Sequence, residues 1–253
     1  MSGTLRHVRN GRTDVWAVPG DPDLTRGPDP LYPSVLDDRE RGRAAAFVRV
    51  RDRVQYVNAH LALRHLLSAY SGVSARLLRL GPPAHGTDGA ASGGAPVVHG
   101  VSGAPRYSLS HSHGLILVAV AAQPVGVDVQ RIPGPGTVDA CLGFLHPRER
   151  AELAALPREG LAAAFAQQWA RKEAYLKGLG TGLARSPRLD YVGARNRGAG
   201  PAGWHVVDIP VSAGYAAAVA VRSPAAPDVV LRSWSAFGTR PGQASAPHGA
   251  GTA

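Results

Sequence analysis

The chain has 253 residues, of which 44% are hydrophobic, enough to bury one large core or two of roughly 100 residues each. A single cysteine, Cys141, excludes an internal disulfide framework, and nowhere does an apolar run reach the roughly 18 residues of a membrane span. With 28 Lys and Arg against 18 Asp and Glu, the formal charge of +10 favours phosphate-bearing or acidic partners, but 6% aromatic content gives little for the base-stacking platforms of single-strand nucleic-acid binders. The N-terminus, MSGTLRHVRNGRTDVW, has no apolar stretch behind its positive charges, so a cytoplasmic, non-membrane protein is expected.

Taken in chain order, the proline-free segment from Arg39 to Leu67 places Val54, Val57, Leu61 and Leu66 at helical spacing and predicts one helix. Residues 85–95, HGTDGAASGGA, are small and polar and read as a loop insertion without chemistry. After Pro105, YSLSHSHGLILVAVAA predicts two strands that turn near His113 and Gly114. VGVDVQRI, from Val125 to Ile132, reads as a strand with Asp128 and Gln130 on one face and Val127 and Val129 on the other. A short helix is expected over 147–156 and a longer one from about Gly160 to Lys177, stopped by Gly178, Gly180 and Gly182. WHVVDIPV, YAAAVAVR and DVVLRSWS read as further strands, and the tail from Gly238 reads as disordered.

This order gives an α+β fold of two similar lobes, each a helix followed by strands. The expected division is residues 1–123, residues 124–237 with the chemistry, and a tail over 238–253.

The chemistry concentrates in WARKEAYLKGLGTGL, residues 169–183. On a helix, Trp169, Glu173 and Lys177 are four apart and share one face, so a carboxylate stands one turn from an ammonium. Alone, that spacing also describes an ordinary surface ion pair beside a buried Trp.

The pattern W-x-x-K-E-A-x-x-K-x-x-G-x-G-L resembles the signature of Sfp-type 4′-phosphopantetheinyl transferases. About 40 residues earlier, Gly126-Val127-Asp128-Val129-Gln130 is similar to that family's strand motif. Weaker matches are Ser110-His111-Ser112, the set Arg43, Phe47, Arg51 and Asp52, and the closing strand GYAAAVAV, so the resemblance spans roughly residues 36 to 222.

What the resemblance implies is a two-lobed enzyme with pseudo-twofold symmetry. It would move phosphopantetheine from coenzyme A to a serine of an apo carrier protein of polyketide, nonribosomal-peptide or fatty-acid synthesis and release 3′,5′-ADP. Asp128 and Glu173 would hold Mg²⁺ (or Mn²⁺), with Gln130 in a weaker or water-mediated role where many relatives carry Glu. Glu173 would also take the serine proton, and Lys177 would stabilise charge on the pyrophosphate. Arg43, Ser110 and His111 would contact coenzyme A, His111 from a turn. The family's phosphate-binding Lys is replaced by Ala95, with Arg79 or Arg106 as substitutes. A monomer without nucleic-acid or membrane partners is implied. Three other readings stay open: an inactive homologue, a basic nucleic-acid-binding protein, and a metal-dependent phosphohydrolase using the same carboxylates.

Overall fold

In the computed structural model, residues 8, 11–20, 33–82, 95–193 and 201–234 are described. Most of the expected loop insertion and the whole tail from Gly238 lie outside them. The fold is α+β, as the sequence predicts.

The first sheet has strand order β4-β5-β1-β9, from β1 (Arg12–Pro19), β4 (Arg106–Ser112), β5 (Leu115–Ala121) and β9 (Asp228–Ser233). The second has order β6-β8-β7, from β6 (Val125–Arg131), β7 (Trp204–Asp208) and β8 (Tyr215–Arg222). A two-stranded ribbon joins β2 (Arg79–Gly81) to β3 (Val97–His99).

In both large sheets an opening strand pairs antiparallel with the last strand of a following hairpin: β1 with β5, and β6 with β8. Each opening strand is followed by a 22-residue helix, α2 (Val50–Ser71) or α5 (Arg158–Leu179). The shared connectivity is the pseudo-twofold repeat.

Alternation along the strands sets the layers. Trp16, Val18, Val118 and Val120 pack on α2. Val15, Leu117 and Ala119 face Val125, Val127, Val129 and Val219 of the other sheet, and Val206, Ala218 and Ala220 pack under α5. The result is helix, sheet, sheet, helix, with Asp128 on the α5 side of β6, as its period of two requires.

Four features depart from the sequence reading. The single helix expected over 39–67 is two: α1 (Asp38–Ala45) begins at a capping box between Asp37 and Glu40, and α2 starts afresh at Val50. The break lets both acids reach the buried Arg64 of α2, which donates to Glu40 at 2.6 Å and Asp37 at 2.7 Å. Gly178 does not stop α5. It lies inside the helix against Trp204, and Gly180, with φ of 75°, ends it. Strand β9, expected in the second lobe, instead runs parallel to β1 in the first sheet, where Arg232 lies over Trp16 and 2.9 Å from Asp14. β1, β2, β3 and α3 (Pro135–Cys141) were not assigned from the sequence; α4 (Pro147–Ala154) was.

Candidate active site

The site is built where α5 crosses β6. A Cβ on Gly126 would lie 2.0 Å from the Ala174 carbonyl oxygen and 2.3 Å from the Gly178 nitrogen, so only glycine lets the helix come this close. Two residues along β6 on the same face, Asp128 meets Lys177 of α5, with Nζ 2.5 Å from Oδ1. Asp128 is 2% exposed.

A second set of bonds holds Asp128 from the side. β4 and β6 run in the same direction without a backbone ladder, and serine hydroxyls bridge them. Ser108, Ser110 and Ser112 accept from the backbone N–H of Val127 (3.0 Å), Val129 (3.3 Å) and Arg131 (3.1 Å). Ser110 also donates to Asp128 Oδ1 at 2.7 Å and accepts from Lys177 at 3.0 Å, which uses its one donor and both acceptor positions. Gln130 Nε2 donates to Asp128 Oδ2 at 2.6 Å. The amide thus presents a donor, not an oxygen, to the carboxylate it was expected to assist.

Glu173, one turn before Lys177 on α5, has its pKa raised, first by burial and then by the charge of Asp128, against the opposing pull of Lys177. The charge of Asp128 therefore opposes ionisation of Glu173. Among the described residues, no three His, Cys, Asp or Glu side chains group as a metal site.

Beside this centre a cleft of about 850 Å³ is walled by Arg43, Tyr56, His60 and Leu63 on one side and by Tyr107 and Leu109 on another, and Lys177 lines it. Arg43 is exposed, its guanidinium 5.3 Å from the Phe47 ring centroid. His60, which the sequence reading did not single out, stacks on Tyr56 with centroids 4.0 Å apart. An i, i+4 aromatic pair on α2 was the only signal for it.

His111 lies on β4 and not in a turn; the turn follows at His113 (φ 42°) and Gly114 (φ 93°), both left-handed as a two-residue hairpin requires. It opens into a neighbouring recess and not the Arg43 cleft. Its pKa is lowered, first by burial and then by the nearby charges of His60 and Lys177. Ser110 is buried on Asp128, away from both recesses. Ala95 shares a smaller recess with Arg106 and Arg222, whereas Arg79 sits on β2 opposite His99.

Lys172, the first lysine of the helix motif, takes no part in the cleft. It is fully buried, 2.9 Å from Glu149, and donates to the Asp190 carbonyl. Glu149 also accepts from the N–H of Val192 and His146, tying α5 to α4 and to the segment before β7.

A carboxylate pair beside a lysine can hold a cation and balance phosphate charge. Residues 124–220, which hold Asp128, Glu173 and Lys177, match the family model of the 4′-phosphopantetheinyl transferase superfamily. The resemblance read from the two motifs is met. A putative 4′-phosphopantetheinyl transferase of Synechocystis is 28% identical over 174 residues, 67% of this chain and 65% of that protein. The 4′-phosphopantetheinyl transferase HetI of Nostoc is 28% identical over 183 residues, 70% and 72% of the two chains. That of Bacillus subtilis is 33% identical over 79 residues, 31% of this chain and 35% of its own.

Proposed function

We propose that this chain is a 4′-phosphopantetheinyl transferase, which moves the phosphopantetheine arm of coenzyme A to a serine hydroxyl of an apo carrier protein and releases 3′,5′-ADP. The observation that carries this reading is the convergence of Asp128 from β6 with Glu173 and Lys177 from α5, beside a cleft large enough for a nucleotide.

Asp128 and Glu173 fit Mg²⁺, which takes hard oxygen ligands and commonly uses one or two carboxylates alongside phosphate oxygens and water. The raised pKa of Glu173 beside the charge of Asp128 is a condition that a divalent cation relieves. Bound there, Mg²⁺ would neutralise charge on the pyrophosphate. Gln130 fits as the group that orients Asp128, because its Nε2 donates to that carboxylate.

In the transfer, the carrier serine oxygen bonds to the phosphorus bearing pantetheine as that phosphorus loses the oxygen of the departing 3′,5′-ADP. Glu173 receives the serine proton, and burial makes it a better base than an exposed glutamate. Lys177 supplies fixed positive charge to the phosphates. Arg43 and His60, which line the cleft, and His111, from the neighbouring recess, would be the first-lobe groups that meet the nucleotide's remaining phosphate. The reading carries with it a monomeric cytoplasmic enzyme that acts on carriers of polyketide, nonribosomal-peptide or fatty-acid synthesis.

The test is chromatographic detection of 3′,5′-ADP from coenzyme A with and without apo carrier protein. Production that depends on the carrier is expected. Equal production without any carrier would assign the same carboxylates to a phosphohydrolase.

A further inference from the structure

A recess of about 410 Å³ opens between α4 and α5 and shares no lining residue with the cleft beside Asp128. Leu153, Leu156 and Ala164 give it apolar walls. With about 100° between successive helical residues, Gln168 and Arg171, which also line it, point roughly 140° to 160° away from Glu173 around α5. The recess therefore stands behind the helix that carries the proposed chemistry.

Most of its polar side chains are engaged elsewhere. Glu149 accepts from Lys172 and from the N–H of Val192 and His146, and Glu152 accepts from the Tyr191 hydroxyl. Gln167 Nε2 donates to Asp208 Oδ1 at 2.7 Å and to the Ala217 carbonyl at 2.9 Å, while Arg171 grips Asp208 through Nε at 2.6 Å and through Nη2. Gln168 differs. It is 5% exposed, and its Nε2 meets no hydrogen-bond partner. A buried donor without an acceptor is a standing cost to the fold, and an acceptor brought in from outside removes it.

The walls define the chemistry of that acceptor. A donor asks for an oxygen. Two carboxylates line the recess and its guanidinium is already neutralised by Asp208, so a neutral carbonyl is favoured over a carboxylate or a phosphate. The aliphatic walls favour an apolar body, which would also take Leu156, now 43% exposed, out of water. The volume lies near the lower end of ligand pockets, about 300–1,000 Å³, and so favours a compact molecule.

We propose that the recess between α4 and α5 is a second binding site, for a compact, neutral, largely apolar amide whose carbonyl accepts from Gln168 Nε2 while its body packs on Leu153, Leu156 and Ala164. Gln167 and Arg171, on the same side of α5, are the residues that tie this helix to β7 and β8. A ligand held there touches α5 beside the bonds that seat it on the second sheet.

The test titrates the full chain into 4-fluoro-N-methylbenzamide and follows the probe's fluorine NMR signal. The wild type should bind it with a dissociation constant of about 1 mM, the range of a fragment-sized ligand. Gln168→Met, of similar volume but without a donor, should weaken binding about fivefold, the scale of one neutral hydrogen bond, with an equal or higher melting temperature because the orphan is gone. Ala164→Leu, which fills the recess, should weaken it by more than about tenfold. Saturating coenzyme A should leave the probe's affinity unchanged. No binding below about 10 mM overturns the proposal, and so does full affinity retained by Gln168→Met. If Gln168→Met does not fold, Ala164→Leu decides: loss of binding supports the site and wild-type affinity overturns it. Displacement of the probe by coenzyme A also overturns it, since the recess would then belong to the coenzyme's site. None of these readings depends on transfer, so failure of the proposed function leaves the test intact.

Discussion

Glu173 concentrates the proposed chemistry in one side chain. It is half-buried, its ionisation is opposed by Asp128, and it stands one helical turn from Lys177. Glu173→Gln keeps the shape and removes both the charge and the proton acceptor. Its expected outcome is loss of transfer by at least about a hundredfold, the scale of one general base, with coenzyme A binding partly kept. Single-turnover kinetics beside calorimetry would check this, and near-normal turnover would contradict the assigned role. Alternation put Asp128 on one strand face, and a spacing of four put Glu173 and Lys177 on one helix face, but only the resemblance carried by the two motifs brought those faces together. The role of Ser110 was not legible, since its bonds to Asp128 and Lys177 span 18 and 67 residues. Nor did spacing show that Lys172, adjacent to Glu173, turns inward to Glu149.

Among elements, the contact of α5 with β6 positions the site, and Gly126 permits it. Gly126→Ala would drive a methyl group into helix backbone, which cannot rotate aside as a side chain does. The expected cost is about 3 kcal/mol, seen as a lower urea midpoint, together with reduced transfer as the helix lifts from Asp128. An unchanged midpoint would mean that the close packing is not needed. The serine bridge is tested by Ser108→Ala, which leaves the buried Val127 N–H without its acceptor. About 1 to 3 kcal/mol should be lost, with coenzyme A binding intact at the stable fraction. The strands β4, β5 and β6 and the helix α5 were readable from pattern because each is long and regular. β2 and β3 have three residues each, too few for a period to emerge. The break between α1 and α2 was hidden because its cause is the distant Arg64, which draws Asp37 and Glu40 to itself.

For the whole molecule, two histidines of α2 link stability to pH. Burial lowers the pKa of His60 and His65, so the folded state favours their neutral forms. Their contribution is complete above about pH 6.5, the ordinary histidine value, and is lost as pH falls through it toward the lower folded values. Glu173, shifted upward, acts in the opposite sense, one group against two. The melting temperature should therefore fall between about pH 6.5 and 5, and a flat profile would contradict the burial of these rings. The two-lobe α+β plan followed from the repeated order of helix and strands. The return of β9 to the first sheet did not, because a strand's partner is set by which edge remains open, and local sequence does not record that. The +10 charge favoured acidic partners without locating them; the fold places basic groups along the groove between α2 and the β4–β5 turn. The most direct measurement is intact-mass spectrometry of an apo carrier protein incubated with this chain, coenzyme A and Mg²⁺, with a parallel EDTA sample. The account predicts a gain of one phosphopantetheine per carrier that EDTA abolishes. No gain on any class of carrier, by a chain that still binds coenzyme A, would contradict it.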